Sequence, residues 1–350
     1  MLLFALYLNK MKEKFLITLI MTSISWQFCT AQINSINEYN RIELNGVRHS
    51  VFIKGENALN PVLLILHGGP GFSDFYFWQT HNKKLEQRFT VVTYDQRGTG
   101  LSYNDTLPPG SITIEQLEDD ALSLIHILKE RFKKEKIYLV GYSFGSIMGM
   151  HLIQKYPSLF QAYIGVGQVT SMYLNEKVSL NYSIQQARLK KDSVAMAQLQ
   201  KLRKHYPSRS KNELSDLDLS RKWLRHFHGD FCEGTNVGQL YKNMDSFARQ
   251  YYKDSLIAKG QAFTMNAMWD EVMQVDLFKT VREVKVPVYF IAGRCDYNTP
   301  STLAYKFFRK LKAPQKQFIW FENSGHYAAF VEPEKFNRIM VQEVLADKGT

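Results

Sequence analysis

The chain has 350 residues, 45% hydrophobic and 22% charged, with 44 Lys and Arg against 33 Asp and Glu for a formal net charge of +11. That composition is globular and excludes a fibrous, collagen-like or largely disordered protein. The excess cations are interleaved with acids, as in LKERFKKEKIY (Leu128–Tyr138), and no recognition motif accompanies them, so no nucleic-acid partner is expected.

The N-terminal stretch Met11–Gln32 has a basic start (Lys12, Lys14), an apolar run from Phe15 and the small residue Ala31. This is the layout of a secretory signal peptide, covering residues 1–31 with Met11 as the expected start. The apolar run is short and broken by Thr and Ser, so no stable membrane insertion is expected after cleavage. Export to a periplasmic or extracellular location follows, with a lipid anchor on Cys29 the less favoured route. Loss of Lys10, Lys12, Lys14 and Glu13 leaves a charge of +9. Two cysteines remain, Cys232 and Cys295, and at most one internal disulfide can form.

Beyond that segment, Val47–Gly55 alternates like an exposed antiparallel strand. Pro61–Leu66 and Phe89–Asp95 are continuously apolar, as strands buried on both faces should be. Ile114–Phe132 places Ile114, Leu117, Ala121, Leu128 and Phe132 at helical spacing, with Ser111 or Thr113 as cap. Lys136–Gly141 is a third apolar strand, followed by a helical stretch that ends at Pro157, and Gln161–Val169 is a fourth. From Thr170 to Val284 the pattern turns helical and carries no convincing buried strand. Val286–Gly293 and Lys316–Glu322 then resume the strand pattern. The alternation implies an α/β fold with a mostly parallel sheet covered by helices. Residues 32–169 and 285–350 form its two parts, and 170–284 an inserted helical cap, because a structureless loop of that length is rare.

The stretch GYSFGS (Gly141–Ser146) lies between a buried strand and a helix. A serine there can be a nucleophile on a tight turn, with Gly141 and Gly145 leaving room for close approach. By itself the pattern fits an ordinary Gly-rich loop equally well. A serine hydroxyl also needs a base, and the base a carboxylate to orient it. Asp296 follows the strand Val286–Gly293, and His326 follows Lys316–Glu322. The order Ser143, Asp296, His326, each just past a strand end, suits such a triad. HGGPG (His67–Gly71) ends the first buried strand. Its Gly69 amide, together with that of Phe144, can bind a developing oxyanion.

HGGPG, DQRGTGLS (Asp95–Ser102), GYSFGS, GRCDYNTP and SGHYAAFVEP together resemble the α/β-hydrolase fold, and most of all its proline iminopeptidase branch, the serine aminopeptidases of peptidase family S33. The likeness runs from about residue 40 to the C-terminus and is weak across the cap. It implies Ser143 as nucleophile, Asp296 as orienting carboxylate, His326 as base, and an oxyanion hole from Gly69 and Phe144. Asp95 and Arg97 are expected to be packing and hydrogen-bonding residues, not catalytic ones. The family usually has Trp where this chain has Phe144, a ring that lacks the indole N–H. In the family, cap glutamates bind the substrate's α-amino group, and the matching stretch here points to Glu271, with Asp270 as alternative.

The alternation His226, His228, Asp230, Cys232 could suggest metal ligands, but no second ligand set accompanies it. A serine mechanism needs neither metal nor cofactor, and none is expected. Phe72, Tyr76, Phe77, Trp78 and Trp269 could line an apolar pocket or simply pack in the core. The expected activity is release of N-terminal residues, proline among them, from short peptides through an acyl-enzyme. The alternative is an esterase or amidase on the same scaffold, acting on another small apolar substrate. Nothing in the chain indicates its oligomeric state.

Overall fold

The computed structural model describes residues 34–235 and 237–346. Residues 1–31, expected from the sequence to be a signal peptide, and Cys29 among them lie outside the described residues. Among the described residues eight strands form one sheet: β1 (Ile36–Leu44), β2 (Val47–Gly55), β3 (Val62–Leu66), β4 (Thr90–Tyr94), β5 (Ile137–Tyr142), β6 (Phe160–Val166), β7 (Val288–Gly293) and β8 (Lys316–Phe321). Their order is β1-β2-β4-β3-β5-β6-β7-β8. Only β2 runs against its neighbours; every pairing from β4 to β8 is parallel.

The continuous apolar runs have a direct cause. Successive side chains of a strand point to opposite faces, so a strand covered on both faces needs apolar residues at every position. Leu64, Leu66, Leu139 and Phe290 enter one core, with the helix Ile114–Phe132 and the helix after Ser143. Leu63, Ile65, Val140 and Ile291 enter the other, with the helix Phe75–His81 and the C-terminal helices. Thr113, not Ser111, caps the Ile114–Phe132 helix by accepting from the Gln116 amide at 3.1 Å.

β2 departs from its expected exposure. Seven of its nine residues are buried. β1 pairs along its whole outer edge, and the Phe52 ring stacks on Phe75 at 4.2 Å and meets Phe247 and Tyr251 edge-on. The aromatic cover comes from distant chain segments, which a local pattern does not report.

Between β6 and β7 the described residues form helices and no strand: α1 (Met172–Leu189), α2 (Ser193–Leu202), α3 (Leu214–His226), α4 (Val237–Tyr241), α5 (Ser246–Tyr251), α6 (Asp254–Met273) and α7 (Leu277–Thr280). The two ends of this insert meet. Ser171 bridges to Asp276, and the Leu277 amide donates to the Thr170 carbonyl at 2.7 Å. An excursion that leaves and returns at one point can vary without disturbing the sheet.

Candidate active site

Ser143 sits at the turn from β5 into the helix Gly145–Lys155 with φ of +52°. A non-glycine residue in that region is strained and is held there by its surroundings. The Ser143 amide donates to the Val166 carbonyl at 2.9 Å, and the Ser146 hydroxyl donates back to the Ser143 carbonyl at 2.5 Å. The flanking glycines are required by space. A Cβ on Gly141 would lie 2.7 Å from the Ser146 Cα, and one on Gly145 would lie 2.2 Å from the Leu66 carbonyl oxygen.

Asp296 and His326 lie on the loops after β7 and β8, strands two and three places from β5 in the sheet. Parallel strands bring their C-terminal loops to one edge, so residues far apart in sequence converge there. His326 Nε2 is 3.0 Å from Ser143 Oγ, and His326 Nδ1 is 3.0 Å from Asp296 Oδ2. With Nδ1 protonated and donating to Asp296, Nε2 is free to accept the serine proton. Asp296 is itself tied down: Thr299 donates through its amide to Oδ1 and through its hydroxyl to Oδ2, both at 2.8 Å. Thr299 was not singled out from the sequence. The signal was available, since an Asp whose side chain caps the amide three residues on is an ordinary turn device. The Tyr142 ring stacks against the His326 ring at 5.4 Å.

The HGGPG loop comes up beside this group. Gly68 and Gly69 line the same cavity as Ser143 and Phe144. The Phe144 amide sits at the start of a helix, where backbone N–H groups have no partner within the helix. His67 is buried, and burial lowers its pKa to about 4, so it is neutral. It braces the loop, with Nε2 accepting from the Gln96 amide at 3.0 Å. Asp95 and Arg97 hold buried hydrogen bonds away from the triad. Arg97 holds Asp120 with two 2.8 Å bonds, and Asp95 accepts from Ser73 and from the Leu101 amide.

The cavity measures about 700 Å³ and opens between the sheet edge and the insert. Val169, Met172, Leu217, Trp269 and Val272 give it apolar walls, and Phe72 lies beside Gly69. Tyr76, Phe77 and Trp78 are instead buried beneath it in the core. Neither expected cap acid lines it. Glu271 accepts from the Ile114 amide at 3.2 Å and so caps a core helix from outside; burial, opposed by that hydrogen bond, raises its pKa. Asp270 accepts from the Asn212 amide at 3.2 Å. Their helix, α6, turns Trp269 and Val272 to the cavity, and residues 270 and 271 therefore fall on other faces. The acid that does line the cavity is Asp218, on α3, together with Arg221 and Arg225. Arg221 is committed to Glu176, a fully buried carboxylate that also accepts from the Tyr206 hydroxyl at 2.7 Å.

One segment of the insert grips both loops of the site. The Gly229 carbonyl accepts from the Tyr297 amide at 2.7 Å, and the Asp230 carbonyl accepts from the His326 amide at 2.8 Å. Cys232 is disulfide-bonded to Cys295, the residue before Asp296. His226 Nε2 lies 3.6 Å from Asp192 and Asp230 lies 3.6 Å from Arg225, and among the described residues no group of three His, Cys, Asp or Glu side chains could hold a metal. The disulfide closes a loop of 63 residues. Its loss in Cys232→Ser is expected to cost about 2–4 kcal/mol. Thermal melts of the variant and the parent check this, and equal midpoints would refute it.

Comparison with known proteins adds the family. The model of the alpha/beta hydrolase fold family matches residues 61–333. "Probable aminopeptidase YbaC" of Bacillus subtilis (strain 168) is 31% identical over 315 residues, covering 86% of this chain and 94% of that protein. The RutD protein of Pantoea ananatis (strain LMG 20103), named for carbamate hydrolysis, is 25% identical, with 83% and 90% covered. Among solved structures, a proline iminopeptidase-related protein from Thermus thermophilus superposes with a TM-score of 0.61 at 21% identity, covering 89% of this chain and 98% of that one.

Proposed function

Because the chain belongs to the alpha/beta hydrolase fold family, we propose that it is a serine aminopeptidase of the proline iminopeptidase type, releasing N-terminal residues from short peptides. The observation that carries the serine chemistry is the hydrogen-bonded series Ser143, His326, Asp296, of which Ser143 and His326 line the cavity. Ser143 Oγ attacks the first peptide carbonyl as its proton passes to His326 Nε2, and the imidazolium is stabilised by Asp296. The Gly69 and Phe144 amides receive the negative charge on the carbonyl oxygen. His326 then protonates the leaving amine, and the C–N bond breaks to give the acyl-enzyme. Water, deprotonated by the same histidine, releases the acid and restores the serine.

The aminopeptidase part is supported by the relative named as one and by Asp218. A carboxylate at the cavity wall favours a substrate with a free ammonium group. Purified protein is expected to release naphthylamine from prolyl- or alanyl-naphthylamide and not from the N-acetylated forms. Asp218→Asn should raise KM for the free-amine substrates about fivefold, the value of a partly exposed charge pair. Brisk ester hydrolysis without any aminoacyl release would sink the peptidase reading and leave an esterase or amidase.

Export also remains part of this reading. It is supported by the sequence pattern of residues 11–32 and by the Cys232–Cys295 disulfide, since such bonds persist in oxidising compartments.

A further inference from the structure

The insert presents charge to the cavity in one ordered line. Leu214, Leu217, Asp218, Arg221 and Arg225 all line the cavity from α3. Residues spaced by three, four and seven share one face of a helix. The stripe therefore runs acid, base, base along the cavity wall. Arg221 is spent on Glu176 in a two-pronged pair. Arg225 is not spent in that way. Its contact is a single approach of Nε to Asp230 Oδ2 at 3.6 Å, and its side chain is 67% exposed. A guanidinium carries five N–H donors, so this leaves most of them facing the cavity and solvent.

The two ends of the stripe stand differently toward the triad. Asp230, the anchor of Arg225, accepts from the His326 amide through its own carbonyl. Arg225 is thus on the His326 side. The leaving amine also departs on that side, because His326 is the group that protonates it. Asp218 is two helical turns away, about 10 Å along the axis. It stands next to Leu217, which packs with Trp269 and Val272 in the apolar wall. An extended peptide spans about 3.3–3.6 Å per residue, so about 10 Å corresponds to some three residues.

We propose that Arg225 binds the C-terminal carboxylate of the substrate, and that the protein acts on free tripeptides whose ammonium faces Asp218 and whose carboxylate faces Arg225. The inference rests on the aminopeptidase reading above and specifies its leaving group. A carboxylate suits a guanidinium because the planar fork can donate two parallel hydrogen bonds. Asp230 keeps the side chain at the wall without consuming it.

The test compares kcat/KM for alanyl-glycyl-glycine and prolyl-glycyl-glycine with that for their C-terminal amides, which differ only in the terminal charge. The parent is expected to prefer the free acids by about five- to tenfold, the range for a charge-assisted pair at a partly exposed site. Arg225→Gln should bring the acid-to-amide ratio to about one, Arg225→Lys should keep part of the preference, and Arg225→Glu should push the ratio below one. Equal rates for acid and amide in the parent would overturn the inference, as would a preference that survives in Arg225→Gln. Both results would leave the aminopeptidase reading standing. If the parent releases no residue from any of the four peptides yet hydrolyses p-nitrophenyl acetate, the aminopeptidase reading itself fails and the inference falls with it. Should Arg225→Gln not fold, the parent ratio and the lysine variant still decide.

Discussion

Ser143→Ala is expected to lower turnover by about 10⁴- to 10⁶-fold while the protein remains folded, the scale of loss when the attacking group of a serine triad is removed. The residual rate would come from substrate binding and the oxyanion donors alone. Ser143 carries the hydroxyl that reaches His326 Nε2 at 3.0 Å, and the cavity opens directly onto it. A fluorophosphonate probe gives an independent readout: the parent should label and Ser143→Ala should not. Equal labelling of the two proteins would remove Ser143 from the role. The melting midpoint serves as control, because the side chain is small and its backbone position is set by the turn bonds to Val166 and Ser146.

Gly145→Ala is expected to damage fold and activity together. The added methyl would sit 2.2 Å from the Leu66 carbonyl oxygen and 2.6 Å from that of His67. Both contacts are backbone, on β3 and on the loop that carries Gly69, so no side chain can rotate away. Relief requires the helix Gly145–Lys155 to move off β3. The cost should be about 3 kcal/mol or more, at the upper end of overpacking effects. Denaturant melts read the stability, and the same movement would draw Phe144 away from Gly69, so kcat should fall even in the folded fraction. A variant that melts like the parent would show that β3 and the helix are further apart than the structure has them.

The order Ser143, Asp296, His326 is legible in the chain because each residue follows a strand-like run rich in apolar residues; β5 and β7 are buried throughout, while β8, at the sheet edge, buries Phe321 alone. The ends of parallel strands meet at one edge, so the topology supplies the convergence that the spacing of 153 and 30 residues does not show. Gly141 and Gly145 are legible for a local reason, the tightness of the turn. Thr299 was within reach, three residues after Asp296 in a turn. β1 and the burial of β2 were not, because their cover comes from Phe75, Phe247 and Tyr251, which are distant in sequence.

The cap acids mark the other limit. Glu271 and Asp270 match a family position, yet α6 turns them toward Ile114 and Asn212. In a helix, the apolar period reports which face is covered, and it does not name the element that covers it. Asp218, Arg221 and Arg225 carry no sequence signal that distinguishes them from a solvated helix face; only the packing of α3 over the sheet edge brings them to the cavity. The same holds for the Cys232–Cys295 bond and for the Asp230 carbonyl on His326, which join segments 63 and 96 residues apart. The sequence by itself determined the core fold and the three residues of the candidate triad, since those follow from local strand and turn chemistry at the ends of a parallel sheet. The tertiary structure alone decided which charges the substrate would meet, since that depends on how an inserted group of helices is rotated and anchored, and long-range packing sets that rotation.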